Sequence, residues 1–194
     1  DSLGLRMQTH LNEQIGEKRF VEEQLYPGCN SYTDVYRRDG LLDHAPILAH
    51  CIRMSPAEFD LVAATDAVIA HCPTSNTLLG SGVMPLDEVA ARDIDWAICT
   101  DVGASPTTSL LAEMAQFLKV HAGRSRHATP QQALFRTTFA PARMLHLDDS
   151  LGSFAIDKPM SFIEVQCDGH YTSADDAILK GLLDLDDETL ADYR

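Results

Sequence analysis

A chain of 194 residues that is 45% hydrophobic and 23% charged is long enough to bury a sizeable core and too apolar to be disordered as a whole. Its formal net charge of -14 repels phosphate backbones and anionic lipid heads, which argues against nucleic acid or a membrane surface as partner and favours a small or neutral ligand. The five cysteines, Cys29, Cys51, Cys72, Cys99 and Cys167, are scattered and form no C-x-x-C pair, so reduced thiols and a cytoplasmic setting are expected.

No run approaches the roughly 18 apolar residues that a membrane span requires. The opening Asp1-Ser2-Leu3-Gly4 leads almost directly into an apolar stretch without a starting methionine or leader, which reads as the middle of a longer chain. From there short apolar runs alternate with longer amphipathic ones, the pattern of strands and crossover helices on a parallel sheet. Residues 5–10 read as a strand and 12–24 as a helix with Ile15, Phe20 and Val21 facing inward. A helical turn is expected over 31–39 and a second buried strand over 47–51. Ser55, Pro56 and Glu58 occupy the N-cap, first and third positions of a helix reaching about residue 65. A third strand covers 68–72, a polar loop 73–82, a helix 85–92 and a fourth strand 95–101. Helices follow over 110–121 and, after Thr129, over 130–140, with a short one opening at Pro141. Beyond Asp148 the texture changes: a turn at 152–159, an apolar strand Phe162-Ile163-Glu164-Val165, and an amphipathic helical tail over 173–193.

His10, His50 and Asp101 sit at the ends of three of the four expected strands. Side chains at the C-terminal ends of parallel strands converge on one mouth, and imidazole and carboxylate are ligand types that zinc accepts while keeping a position open for water. Each residue alone has a plainer reading. A strand-end histidine is often a hydrogen-bonded structural group, and an aspartate after a strand is often a helix cap. Recurrence at successive strand ends favours a shared site. Glu13, three residues after His10, can reach the same mouth as a proton carrier, or can simply favour the dipole of the helix that follows.

Several segments together resemble the guanine deaminases of the amidohydrolase superfamily. They are Gln8-Thr9-His10-Leu11-Asn12-Glu13, Ser31-Tyr32-Thr33-Asp34-Val35-Tyr36, Ala49-His50-Cys51, His71-Cys72-Pro73-Thr74-Ser75-Asn76 with Gly80-Ser81-Gly82, Thr100-Asp101-Val102-Gly103 and Leu182-Leu183-Asp184-Leu185-Asp186-Asp187. The resemblance implies an α/β fold, a distorted (β/α)8 TIM-type barrel joined to a small β-sandwich. Residues 1–148 would be the C-terminal half of the barrel, strands five to eight, and 149–194 a β-sandwich remnant with a C-terminal helix.

By resemblance, His10 and Asp101 are zinc ligands, His50 contacts the activated water or the metal itself, Glu13 is the proton shuttle and His71 opens a loop that shapes the mouth. The implied reaction is hydrolysis of guanine at C2 to xanthine and ammonia, so the partner is a small-molecule purine. The family's first-strand H-x-H pair has no counterpart in these residues, and Asp157-Lys158-Pro159-Met160-Ser161 stands where the family has G-K-x-A-D. Half a barrel leaves open sheet edges, from which a homo-oligomer is expected. Two other readings stay open: a related amidohydrolase acting on another aminated or chlorinated heterocycle, and a catalytically inactive half-barrel module.

Overall fold

The computed structural model describes residues 6–165 and 170–183. Leu5, Cys167 and the tail beyond 183, all of which carried expectations from the sequence, lie outside the described residues. The chain divides into two units, one of Asp1–Cys72 with Asn76–Trp96, the other of Pro73–Ser75 with Ala97–Arg194.

The first unit is built on parallel strands. β1 (Gln8–Leu11), β2 (Ile47–His50) and β3 (Val68–His71) pair in sequence order, with Thr9 opposite Leu48 and Leu48 opposite Ile69, and β4 (Trp96–Ile98) follows in the order β1-β2-β3-β4. Each strand is short and apolar, and Leu11, Leu48 and Ile69 are fully buried, as expected for a parallel sheet covered by crossover helices. The helices between them are α1 (Ile15–Phe20), which continues as a π-helical turn over Val21–Leu25, then α2 (Tyr32–Arg38), α3 (Pro56–Ala63), α4 (Pro73–Leu78) and α5 (Leu86–Ala91). Phe59 and Val62 of α3 and Leu86 and Val89 of α5 supply the apolar cover.

The second unit holds α6 (Leu110–His121), α7 (Pro130–Thr137), α8 (Phe139–Met144) and α9 (Ala174–Leu183). Local capping sets where several helices begin. The Ser55 hydroxyl accepts from the Glu58 N–H while the Glu58 carboxylate accepts from the Ser55 N–H, a closed capping box at α3. Ser109 and Thr129 cap α6 and α7 without the return bond, their hydroxyls accepting from the N–H groups of Ala112 and Gln132. No helix among the described residues is long and apolar enough to cross a membrane.

Four expectations need correction. The first helix starts at Ile15, not 12, and Ile15 and Phe20 are each 48% exposed. Its inward face is carried by Lys18 and Val21, three residues apart, because Lys18 is drawn in by the buried Glu58 carboxylate. The loop over 73–82 begins as helix α4, since Pro73 suits a first helical position and the Thr74 N–H finds an acceptor in Glu113. The helix over 130–140 breaks at Thr138 (φ -121°, ψ -83°), and Pro141 lies inside α8 rather than opening it, in the first turn where its missing N–H costs nothing. Residues 162–165 form no strand: no described strand pairs with them, and Phe162 and Ile163 remain largely exposed.

Candidate active site

The polar groups of the first unit gather where β1 and β2 end. His10 is the third residue of β1 and His50 the last of β2, and their rings meet edge to face with centroids 5.0 Å apart. At the exits of both strands the backbone enters the left-handed region, at Asn12 (φ 53°) just after β1 and at His50 (72°) and Cys51 (51°), the last residue of β2 and the one after it. Side-chain residues occupy that region rarely and at a cost, so the surroundings must hold them there. Here the Asn12 carbonyl accepts from both the Ile52 N–H (3.1 Å) and the Arg53 N–H (2.7 Å), which stitches the exit of β1 to that of β2.

Asn12 is itself anchored from below. Its side-chain amide donates to Thr33 Oγ1 and to Glu58 Oε1, both at 3.0 Å, and its Oδ1 accepts from Lys18 Nζ at 3.2 Å. Glu58 is buried and also accepts from Lys18 Nζ at 2.9 Å on each oxygen. Burial alone pushes the Glu58 carboxyl up, but the hydrogen bonds and charge of Lys18 and the donor at Ser55 outweigh it and hold the group below its ordinary value. Burial has no such counterweight at Cys51, whose thiol is pushed far up and is inert as a nucleophile.

Glu13 follows Asn12. One of its oxygens accepts from the Ser81 hydroxyl at 2.6 Å, and Ser81 in turn accepts from Gln14 Nε2 at 2.6 Å. The other lies 3.7 Å from His50 Nε2, too far for a direct hydrogen bond and close enough for both to reach one small proton-bearing group. On its far side, His50 Nδ1 donates to Asn76 Oδ1 at 2.8 Å.

In the second unit Asp101 follows β4 by three residues, again in the left-handed region (φ 53°), and its Oδ2 accepts from the Ser75 hydroxyl at 2.5 Å. Nearby, Glu113 of α6 is fully buried and accepts from the Thr74 N–H and the Ser105 hydroxyl. Burial is the main reason its carboxyl lies above the ordinary value, and burial likewise pushes the Cys99 thiol up to about 11.

The first unit therefore brings together His10, Glu13 and His50, while Asp101 belongs to the second. His71 ends β3 fully buried beside Trp96, with ring centroids 6.2 Å apart. Sequence reasoning passed over Asn76, Ser75 and Ser81, which lie inside quoted motifs, and Lys18 and Glu113, which do not, and it read Glu58 only as a capping residue of α3, not as the buried partner of Lys18 and Asn12. The signal available for Glu58 and Glu113 was a carboxylate at the inward-facing position of an otherwise apolar helix.

Parallel strands in sequence order with helices between them make an α/β fold that fits the TIM type. The chain belongs to the Amidohydrolase family, which it matches over residues 1–184.

The guanine deaminase of Escherichia coli (strain K12) is 33% identical over 158 residues, 81% of this chain and 36% of that protein. A probable guanine deaminase of Deinococcus radiodurans is 36% identical over 157 residues, 79% of this chain and 36% of that protein. Among solved structures, E. coli guanine deaminase aligns with a TM-score of 0.84 at 29% identity, covering 93% of this chain and 44% of that one. Guanine deaminase from C. acetobutylicum with bound guanine in the active site aligns at 0.70 and 30%, covering 78% of this chain and 37% of that one. An adenosine deaminase from Xanthomonas campestris with bound zinc aligns at 0.72 and 25%, covering 81% and 36%. The chain thus spans well under half the length of these relatives, between 36% and 44%.

Proposed function

We propose that these residues form part of a site that hydrolyses guanine to xanthine and ammonia, with His10, His50 and Asp101 as ligands to one divalent metal, zinc by preference. The observation that carries this reading is Glu13 beside His50: a carboxylate held by Ser81 on one oxygen, with the other 3.7 Å from an imidazole nitrogen. His10 edge-on to His50 sets a second imidazole at the same strand exits. Two imidazoles and a carboxylate are a donor set that suits zinc and leaves room in its coordination for water. The likeness to guanine deaminases supports guanine over other heterocycles.

When bound, the metal supplies the Lewis acidity that makes water nucleophilic near neutral pH. Glu13 delivers a proton to a ring nitrogen as water adds at C2, and later to the departing amine. Asp101 takes up one of the water's protons and passes it to Glu13 for the amine. The second, on the adduct's hydroxyl, returns to Glu13 as the carbonyl forms, so the two protons that Glu13 gives are the two that the water loses. His50, its Nδ1 proton engaged by Asn76, has its Nε2 left on the side of Glu13, and that lone pair would hold the metal when it is bound. In the finer reading β1 to β4 are barrel strands five to eight, 1–148 is the barrel portion and 149–194 the sandwich remnant with its helix. The protein works in the cytoplasm as a homo-oligomer.

The test is xanthine and ammonia formation by the protein made from the full reading frame that carries these residues. Guanine is the expected substrate, with adenosine and a chlorotriazine as comparators. Turnover of a comparator in place of guanine would assign the site to another heterocycle.

A further inference from the structure

We propose that Glu113, which touches neither substrate nor metal, is the positioning residue that fixes Asp101. Asp101 sits in a left-handed conformation (φ 53°), which aspartate tolerates better than most side chains but still at a cost. Two clamps hold it. The Ser75 hydroxyl donates to its Oδ2 at 2.5 Å, and the Ser105 N–H donates to its main-chain carbonyl at 2.9 Å. Both clamps lead to one carboxylate. Glu113 Oε2 accepts from the N–H of Thr74, the residue before Ser75, at 3.1 Å, and Glu113 Oε1 accepts from the hydroxyl of Ser105 itself at 3.2 Å.

Glu113 has no exposed surface, and its helix α6 is capped and packed through Met114 and Phe117, so its two oxygens are a rigid reference point. A buried carboxylate is costly to desolvate, and the donors it meets here are the two segments that grip Asp101 from its side-chain and main-chain sides. Glutamine replaces it only in part, because its single acceptor oxygen can serve the Thr74 N–H while the Ser105 hydroxyl must turn from donor to acceptor to meet the amide N–H. The consequence for metal binding rests on Asp101 being a ligand, as proposed above; the mechanical coupling between Glu113 and Asp101 does not.

The experiment is a cycle of thermal melts on the metal-free protein. Glu113→Gln is compared in the native background and in the Asp101→Gly background, where glycine relieves the left-handed strain and removes the carboxylate that Ser75 grips. If Glu113 acts on Asp101, the loss of Tm caused by Glu113→Gln falls to about half or less once Asp101 is gone, since interacting sites are not additive. Equal losses in both backgrounds would overturn the proposal and leave Glu113 as a structural residue only. Ser105→Ala removes the hydroxyl that ties one clamp to Glu113, leaves the clamping N–H in place, and gives the same comparison should Glu113→Gln fail to fold. Cobalt titration then separates this proposal from the metal assignment. A native protein that shows no cobalt band defeats the assignment of Asp101 as a ligand, while the melting cycle still decides the coupling. A native band that Glu113→Gln leaves unshifted and equally tight counts against positioning.

Discussion

His50 Nδ1 donates to Asn76 Oδ1 at 2.8 Å, and this one contact decides which ring nitrogen faces Glu13. With the proton on Nδ1, Nε2 carries the lone pair needed to bind a metal or accept from water. Asn76→Ala frees the ring to take the other tautomer or to rotate. Such outer partners of ligand histidines are typically worth about 10- to 100-fold in metal affinity or activity. Imidazole nitrogen spectra of the metal-free protein should show His50 protonated on Nδ1 in the native chain and a mixture in the variant. An unchanged spectrum would show that Asn76 does not set the tautomer.

Asp101→Ala should lower metal content and activity together, because it removes a proposed ligand and a proton acceptor at once. Metal content after dialysis against a mild chelator reads this directly. Full occupancy in the variant would reduce Asp101 to a role in the turn that Ser105 and Ala104 close on its carbonyl.

The Lys18–Glu58 pair carries a pH signature. Glu58 is held below its ordinary value of 4.5, so the stability it contributes is fully present above 4.5 and is lost as pH falls through the lower folded-state value. Denaturant midpoints taken from about pH 7 to about pH 3 should fall in that window and fall less in Glu58→Gln. At neutral pH Glu58→Gln should cost about 1.5–3 kcal/mol, the range for a lost hydrogen bond to a charged group, because the Lys18 ammonium loses one of its two carboxylates and keeps Glu22 at 2.6 Å. A cost under about 1 kcal/mol would mean that the network around Asn12 relaxes freely.

Gly152 tests the packing of the second unit. It sits at φ 81°, and a Cβ there would lie 2.8 Å from Ala142 Cβ and 2.9 Å from the Thr138 carbonyl oxygen. Gly152→Ala therefore adds overpacking against α8 to backbone strain and should destabilise by about 2–4 kcal/mol. Unfolding by urea measures it, and a neutral effect would deny the close approach of residue 152 to α8.

What the sequence revealed was whatever depends on neighbours along the chain. The Ser55 and Thr129 caps and the apolar strand runs are local, and α3, α6 and all four strands lie close to where the pattern put them, while α7 starts where expected and stops short. His10, Glu13 and His50 were legible because strand ends of one sheet share a side. The inward face of α1 was not, because the partner that draws Lys18 inside is 40 residues away. Asn76 stands 26 residues from His50, and Ser75 the same distance from Asp101, so their roles appear only once the chain has folded. The strand expected at 162–165 failed for the opposite reason: an apolar, β-branched run is necessary for a strand, but a paired neighbour is what makes one.

The most direct measurement is guanine turnover by Glu13→Gln protein whose metal content is determined on the same sample. The account predicts native metal content with turnover lowered by about two to four powers of ten, the range for a lost general acid–base group. Native turnover in that variant, or loss of the metal with it, would contradict the assignment of Glu13 as the proton carrier beside His50.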